Sequence, residues 1–302
     1  MKDRKQGSFR LRRGESVDDG VRRIALARIE SAARELAGPE GTGPAAIHAV
    51  RKDMKKVRAV LRLVRGELGE EAFQRENRRY RDVGRLLAQS RDAEVKLQTL
   101  TALCERFDAD LPHEAVKIWS GELERERNEA TAAGGDTTLR VGEAITMIAA
   151  GREEIAGWPA ISDCWSSVGA GLSRSYRDGR RRMKQARSRP CPEAVHAWRK
   201  RVKDLWYQLR ILQGVWPEPV GEMSEQAHRL AELLGDHHDL TLLREDLARR
   251  SVLGEREALG GVIERRQQEL FEAALDLGAR LFAERPKAFA ARFEAYWRAW
   301  RG

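Results

Sequence analysis

The sequence predicts an all-α protein, and three observations support this fold class. Apolar residues recur at helical spacing along most of the 302 residues, and runs of β-branched or aromatic residues with strand-like alternation are missing. The breaks between periodic segments fall at Gly and Pro, which interrupt regular backbone. With 34% charged and 41% hydrophobic residues, the chain has the composition of a folded helical protein.

The helices can be placed in order along the chain. The first should begin at Ser16, a candidate N-cap, and end near Gly38-Pro39. The second should start after the loop at 41–44 and continue to Gly66, because its apolar stripe holds to that point. Further helices are predicted at about 70–107 with an interruption near Gln89-Ser90, 112–132, 138–156, 160–186, 192–213, 220–250, 255–283 and 287–300.

The second half of the chain repeats the first. Residues 46–55 align without gaps on 194–203, a shift of 148 residues. A weaker similarity aligns Arg91-Asp92 with His238-Asp239 at a shift of 147 residues. The repeat predicts two helical halves, about 9–150 and 151–302, preceded by a basic arm at 1–8.

Each copy of the repeat carries basic residues on one helical face. Their spacing of three, four, seven and fourteen residues places them in a line along about 20 Å of helix. They are His48, Arg51, Lys52, Lys55 and Arg62 in the first copy and His196, Arg199, Lys200, Lys203 and Arg210 in the second. Arg, Lys and His all donate to phosphate oxygens, and acids do not alternate with these bases. An ordinary solvated face is therefore less favoured, and a polyanion site is predicted.

Other basic residues are placed to extend this surface. They are Arg22, Lys56, Arg58, Arg78, Arg81, Arg85, Arg91, Arg177, Arg180, Arg181 and Lys184. The segment at 9–13 is equally consistent with ligand contact and with a disordered basic tail. A net charge of +9 is compatible with nucleic acid, an anionic membrane surface or a phosphate polymer as the partner.

Chemistry beyond binding has little support in the sequence. His237-His238-Asp239 could be part of a metal cluster, but polar residues at a helix or loop are the more common explanation. Trp198 and Trp206 fall on or beside an apolar stripe, which favours core packing over base stacking. No nucleophile stands beside a base, and no carboxylate cluster suits magnesium. We therefore expect no catalytic residue, metal or cofactor.

Several segments resemble the CHAD family, the conserved-histidine α-helical domains, over about Phe9 to Trp300. They are the residues 9–15, the two His helices, Arg91-Asp92, 176–180 and 203–210. The resemblance implies two pseudo-symmetric, antiparallel helical bundles around a basic groove or pore that binds inorganic polyphosphate. It also implies a cytoplasmic location at polyphosphate or storage granules. The two walls should contribute unequally, because Asp204 and Trp206 stand where the first copy has Lys56 and Arg58.

Two other functions remain open at this stage. One is a nucleic-acid-binding helical protein, and the other is a metal-dependent polyphosphate hydrolase. The chain has no motif of the triphosphatase domain that some relatives carry, so a non-enzymatic protein is expected. No stretch approaches the length of an apolar membrane span, and the oligomeric state is not predicted. Protonation of His48 and His196 near pH 6 is expected to strengthen polyanion binding.

Overall fold

The structure is a computed structural model that describes residues 9–88, 92–132, 134–250 and 255–302. All regular elements in these ranges are helical. Within those residues lie twelve α-helices and two short 3-10 turns at Asp108–Asp110 and Gln213–Val215. The α-helices are α1 (Val17–Ala37), α2 (Pro44–Leu63), α3 (Arg65–Leu68), α4 (Glu70–Leu86), α5 (Asp92–Phe107), α6 (His113–Ala132), α7 (Gly134–Ala156), α8 (Trp165–Ser188), α9 (Pro192–Leu212), α10 (Pro217–Arg249), α11 (Arg256–Leu281) and α12 (Pro286–Arg301). The all-α prediction is confirmed.

Local chemistry explains where several of the helices begin. Ser16 caps α1, since its hydroxyl accepts a hydrogen bond from the Asp19 backbone N–H at 3.1 Å. The prolines of α2, α9, α10 and α12 stand in their first turns, where a missing N–H breaks no helical bond. The predicted break at Gly134-Gly135 is partly wrong, because α7 already begins at Gly134.

The predicted start of α8 near residue 160 is also wrong. The helix begins at Trp165 because the preceding loop is held against α1 by backbone-to-carboxylate bonds. The Ile161 N–H donates to Asp18 at 3.2 Å, and the Val17 N–H donates to Asp163 at 2.9 Å. These two bonds connect the beginnings of the two halves.

The helices pack in a similar order in each half. In the first half α1 packs on α2 and α7, and in the second α8 packs on α9 and α12. Helices α2 and α9, which carry the repeated basic faces, contact each other. The two-fold relation between the halves stays a prediction, although this order of contacts agrees with the repeat. No helix in the described ranges is long and apolar enough to cross a membrane.

A close approach at Gly171 brings α8 against the end of α2. A Cβ placed on Gly171 would lie 2.0 Å from the Leu63 carbonyl oxygen, so no other residue fits there without moving the backbone. Around this contact, a main core joins α1, α2, α8 and α9, and includes Trp198 and Trp206. The prediction that both tryptophans serve the core is confirmed.

A second, smaller core lies between α5, α6, α10 and α11. Beside it Asp246, 5% exposed, connects three of these helices. Its carboxylate accepts hydrogen bonds from Lys96 at 2.8 Å, Trp119 at 3.0 Å and Arg250 at 2.6 Å. The three donors lower the pKa of Asp246 to about 2 against the effect of burial.

The segment at 9–13 is not a tail. Phe9 and Leu11 are each 2% exposed, and the Leu11 N–H donates to the Ile211 carbonyl at 2.9 Å. The Phe9 ring meets Tyr207 edge-on with centroids 6.2 Å apart. The tail interpretation is therefore wrong for these residues, while the predicted arm at 1–8 lies outside the described residues.

Candidate polyanion site

A cavity of about 640 Å³ lies between α2, α4, α9 and α10. Its polar lining is Arg51, Lys55, Arg58 and Arg62 from α2, Tyr80, Arg81 and Arg85 from α4, His196, Arg199, Lys200, Arg201, Lys203, Asp204 and Tyr207 from α9, and His238 from α10. Among these described residues Asp204 alone is acidic. A larger and more open depression of about 1140 Å³, near the start of α8, is lined by both acidic and basic side chains and does not concentrate positive charge.

Helix α2 supplies one wall of the cavity. Its apolar stripe is buried in the core, which fixes the rotation of the helix and turns Arg51, Lys55, Arg58 and Arg62 toward the cavity. Arg58 is anchored to α4, because its Nε donates to the Asn77 side-chain oxygen at 3.0 Å. Burial and the neighbouring Arg62 lower the pKa of Arg58 to about 10, so this guanidinium stays charged at neutral pH.

Helix α9 supplies the opposite wall, with Arg199 at its centre. A Cβ on Gly235 of α10 would lie 3.2 Å from the Arg199 guanidinium, so this glycine makes room for the side chain. Arg199 Nε and His196 Nδ1 are buried without a hydrogen-bond partner among the described residues. Buried polar atoms without partners are uncommon in folded proteins, and the Arg199 Nε–H is a donor that suits a ligand with acceptor oxygens.

Asp204 holds two arginines of the cavity in place. Its carboxylate forms ion pairs of 3.2 Å with Arg62 of α2 and 3.2 Å with Arg201 of its own helix. The side chain of Asp204 is 10% exposed. This acid connects the two walls and offsets part of the repulsion between their cations.

The two cavity histidines face each other across α9 and α10. The rings of His196 and His238 have centroids 4.3 Å apart. Burial, His238 and nearby Lys200 lower the pKa of His196 to about 4. His196 is therefore neutral at pH 6 in the ligand-free chain, and the expected strengthening of binding near pH 6 does not follow from this residue. His237 lies apart, against Phe271 at 6.1 Å between ring centroids.

Lys203 has a larger pKa shift than His196 or Arg58 in the same cavity. Its side chain is mostly buried, and burial together with Arg199 and Lys55 lowers its pKa to about 7. The negative charge of Asp239 acts in the opposite direction. At neutral pH this amine exists in comparable amounts as charged and neutral forms.

Replacing Lys203 by methionine is expected to raise the melting temperature at pH 7. The folded-state pKa lies below the ordinary value of 10.5, so the charged form is disfavoured by folding. This cost is fully present below about pH 7 and disappears as the pH rises through the unfolded-state value. Thermal unfolding followed between pH 6 and 10 should show a gain that shrinks with rising pH, whereas Lys117→Met, an exposed control outside the cavity, should show little change. A Lys203→Met variant that melts lower at every pH would contradict this account.

Only part of the predicted basic surface reaches the cavity. His48, Lys52 and Arg78 are exposed and lie outside its lining, although Lys52 still contributes to the lowered pKa of Lys203. Arg91 lies outside the described residues. Polyanion contact by these four residues stays a prediction.

Lys56 and Arg210 lie on the side of α2 and α9 that faces the segment at 9–13. Lys56 forms an ion pair with buried Asp53 at 2.7 Å, and the Arg210 guanidinium lies 5.4 Å from the centre of the Phe9 ring. Since neither lines the cavity, the structure does not bring them together with the residues above.

Two other sets of predicted residues are separate from the cavity. Arg22 pairs with Asp18 at 2.9 Å and donates to the carbonyls of Ile155, Trp158 and Pro159, which is a structural role at the end of α7. A second basic pocket of about 370 Å³ lies beside α8 and the beginning of α12. Its basic lining residues are Arg177, Arg180, Arg181 and Lys184.

The sequence did not identify several residues of the cavity as site residues. They are Tyr80, Arg201, Asp204, Tyr207 and His238. The sequence did contain a signal for His238, because the weaker similarity between the two halves aligns it with Arg91, which is a predicted site residue. Asp204 stood out only as a departure from the repeat. The two tyrosines gave no signal, since aromatic residues on a helix usually indicate core.

Comparison with known proteins agrees with this architecture. The CHAD domain profile matches residues 23–248. The crystal structure of the CHAD domain from the plant Ricinus communis is similar, with a TM-score of 0.65 and 18% identity over 92% of this chain and 96% of that one. PptA from Streptomyces chartreusis is also similar, with a TM-score of 0.62 and 15% identity over 89% of this chain and 100% of that one. No curated protein matches significantly. Because the profile covers well over half of the residues and the solved structures share the fold, the chain belongs to the CHAD domain family.

Proposed function

We propose that the protein binds inorganic polyphosphate in the cavity between α2 and α9, without catalysing a reaction. The observation that carries the proposal is the convergence of cations from both helices on one cavity, beside the buried Arg199 Nε and His196 Nδ1, which have no hydrogen-bond partner among the described residues. A phosphate polymer presents regularly repeated anionic oxygens, which suits several cations arranged along two facing helices. The choice of polyphosphate over other anions rests on the family resemblance.

Binding without hydrolysis agrees with the residues of the cavity. The single acid of the described lining, Asp204, is already paired with Arg62 and Arg201. A magnesium-dependent hydrolase needs carboxylates that are available to the metal. Within the described ranges, no three His, Cys, Asp or Glu side chains form a group suited to a metal ion. The expected test result is no release of orthophosphate from polyphosphate, with magnesium or manganese added.

Competition between polyphosphate and nucleic acid tests the choice of polymer. Purified protein would be titrated with long-chain polyphosphate in the presence of single-stranded RNA at equal phosphate concentration. We expect RNA to compete weakly, because Trp198 and Trp206 of α9 are buried and offer no stacking surface in this wall of the cavity. RNA that displaces polyphosphate at equal phosphate concentration would instead favour a nucleic-acid-binding protein.

The binding should depend on pH through Lys203. A bound phosphate stabilises the ammonium form and raises its pKa, so binding takes up a proton at pH values above about 7. Affinity should therefore rise as pH falls from about 9 toward 7 and then level off. The Lys203→Arg variant, which is charged throughout this range, should show a flatter profile. An equally steep profile in that variant would assign the effect to another group.

A location at polyphosphate granules is proposed on the same basis. A fluorescent fusion of the chain should co-localise with polyphosphate granules in cells that accumulate the polymer. A fusion with alanine at Arg51, Lys55, Arg199 and Lys203 should be diffuse. Granule location that persists in this variant would show that another surface directs it.

A further inference from the structure

Lys203 is a mostly buried amine whose neighbours are chiefly cations. Arg199 precedes it by one helical turn on α9, and Lys52 and Lys55 act on it from α2. From α10, Asp239 is the acid that acts on it most. Burial and like charges both disfavour an ammonium, so a large fraction of this side chain is a neutral amine near pH 7. A neutral lysine amine is a nucleophile. The proposed binding of polyphosphate makes no use of this reactivity.

The same cavity can hold an anionic group next to this amine. Arg51 and Arg199 stand on opposite walls, and guanidinium groups bind phosphate through paired N–H donors. A volume of about 640 Å³ admits a small molecule rather than only a single ion. The cavity therefore combines a phosphate-binding surface with a nucleophile, which is the arrangement needed to direct a phosphorylated electrophile onto one lysine.

We propose that Lys203 is a covalent modification site for small aldehydes that carry a phosphate group. The phosphate is held by the arginines, and the Lys203 amine adds to the aldehyde carbon to give a carbinolamine. The nitrogen loses a proton, the hydroxyl leaves as water, and an imine remains. The overall change is amine plus aldehyde to imine plus water, with no oxidation or reduction. The adduct occupies the space in which the polymer would bind.

Pyridoxal 5′-phosphate is a suitable probe for this reaction. The full chain would be incubated with it, reduced with borohydride and digested, and each lysine adduct would be measured by mass spectrometry. We expect Lys203 to be labelled at least about tenfold faster at neutral pH than Lys52, Lys55 or Lys200, because its lowered pKa leaves a larger neutral fraction than an ordinary lysine amine has. Pyridoxal without its phosphate should show a smaller preference for Lys203 over the other lysines. At probe concentrations well below saturation, the labelling rate reports the ligand-free cavity and should have its midpoint near pH 7.

Two variants keep the test decisive. Lys203→Arg should lose the fast adduct while retaining helical content by circular dichroism. Lys200→Arg, from the same wall, should retain it. Similar rates at all the cavity lysines, or an equal preference for Lys203 with and without the phosphate, would overturn the proposal. The reactivity of Lys203 does not require polyphosphate as the natural ligand: fast labelling that polyphosphate fails to slow would count against the proposed polymer site alone.

Discussion

Alanine in place of Arg51, Lys55, Arg199 and Lys203 is expected to reduce polyphosphate affinity by roughly a thousandfold or more. Each charge-assisted contact to phosphate contributes about tenfold or more, and this variant removes two contacts from each wall of the cavity. The four cations repel one another, and the relief of this repulsion offsets the contacts that their side chains lose, so the variant should stay folded with a melting temperature near that of the parent chain. Titration with fluorescently labelled polyphosphate measures the affinity, and a thermal melt confirms the fold.

A matched variant separates this site from general electrostatic attraction. Arg34, Lys117, Arg125 and Arg229 are exposed basic residues that do not line the cavity. Their replacement by alanine removes the same formal charge, and we expect it to lower affinity only slightly and mainly at low salt. Equal losses in the two variants would show that net charge, not the cavity, determines binding.

Replacing Asp246 by alanine is expected to lower the stability of the fold by about 3 kcal/mol or more. The change leaves Lys96, Trp119 and Arg250 without the buried acceptor that connects α5, α6 and α10. For a chain of this size that loss corresponds to a fall of very roughly 5–10 °C in melting temperature. Hydrogen exchange should show loss of protection first in α5 and α6, which pack against α10 through the smaller core.

An exposed ion pair provides the control for Asp246. Asp110 and Arg265 pair at the surface with about half of each side chain exposed. Asp110→Ala should therefore change the melting temperature little, because exposed pairs contribute about 0–1 kcal/mol. If Asp246→Ala melted within a degree of the parent, the buried network would not be a major source of stability.

The sequence predicted the helices well because their signals are local. The apolar stripe of α2, the N-cap at Ser16 and the proline starts each depend on residues within a few positions. The start of α8 could not be found this way, since it depends on bonds between Asp163 and Val17, about 146 positions apart. The packing of Phe9 against Tyr207 is likewise a long-range contact that gives no periodic signal.

The candidate site was predicted in outline, and its limits were not. Helical spacing correctly grouped Arg51 with Lys55 and Arg199 with Lys203, which line the same cavity. Spacing alone also included Arg210, which does not line the cavity, although its counterpart Arg62 at the same fourteen-residue offset does. The two differ because the segment at 9–13 covers α9 at that point, where the Phe9 ring lies 5.4 Å from the Arg210 guanidinium.

The sequence alone did not predict the charge states of the side chains that line the cavity. His196 was assumed to titrate near pH 6, but burial and its cationic neighbours lower its pKa to about 4. The same causes lower the pKa of Lys203 to about 7, which makes the lysine the group that responds near neutral pH. These pKa shifts depend on which residues of α2 and α10 lie against α9, and the tertiary structure determines those contacts.

The most direct test of the central claim is a crystal structure of the protein with a short polyphosphate bound. We expect phosphate density in the cavity, between Arg51 of α2 and Arg199 of α9, with oxygens within hydrogen-bond distance of the Arg199 guanidinium. Density confined to the outer face of α8, beside Arg177 and Arg181, with the cavity free of phosphate, would contradict it.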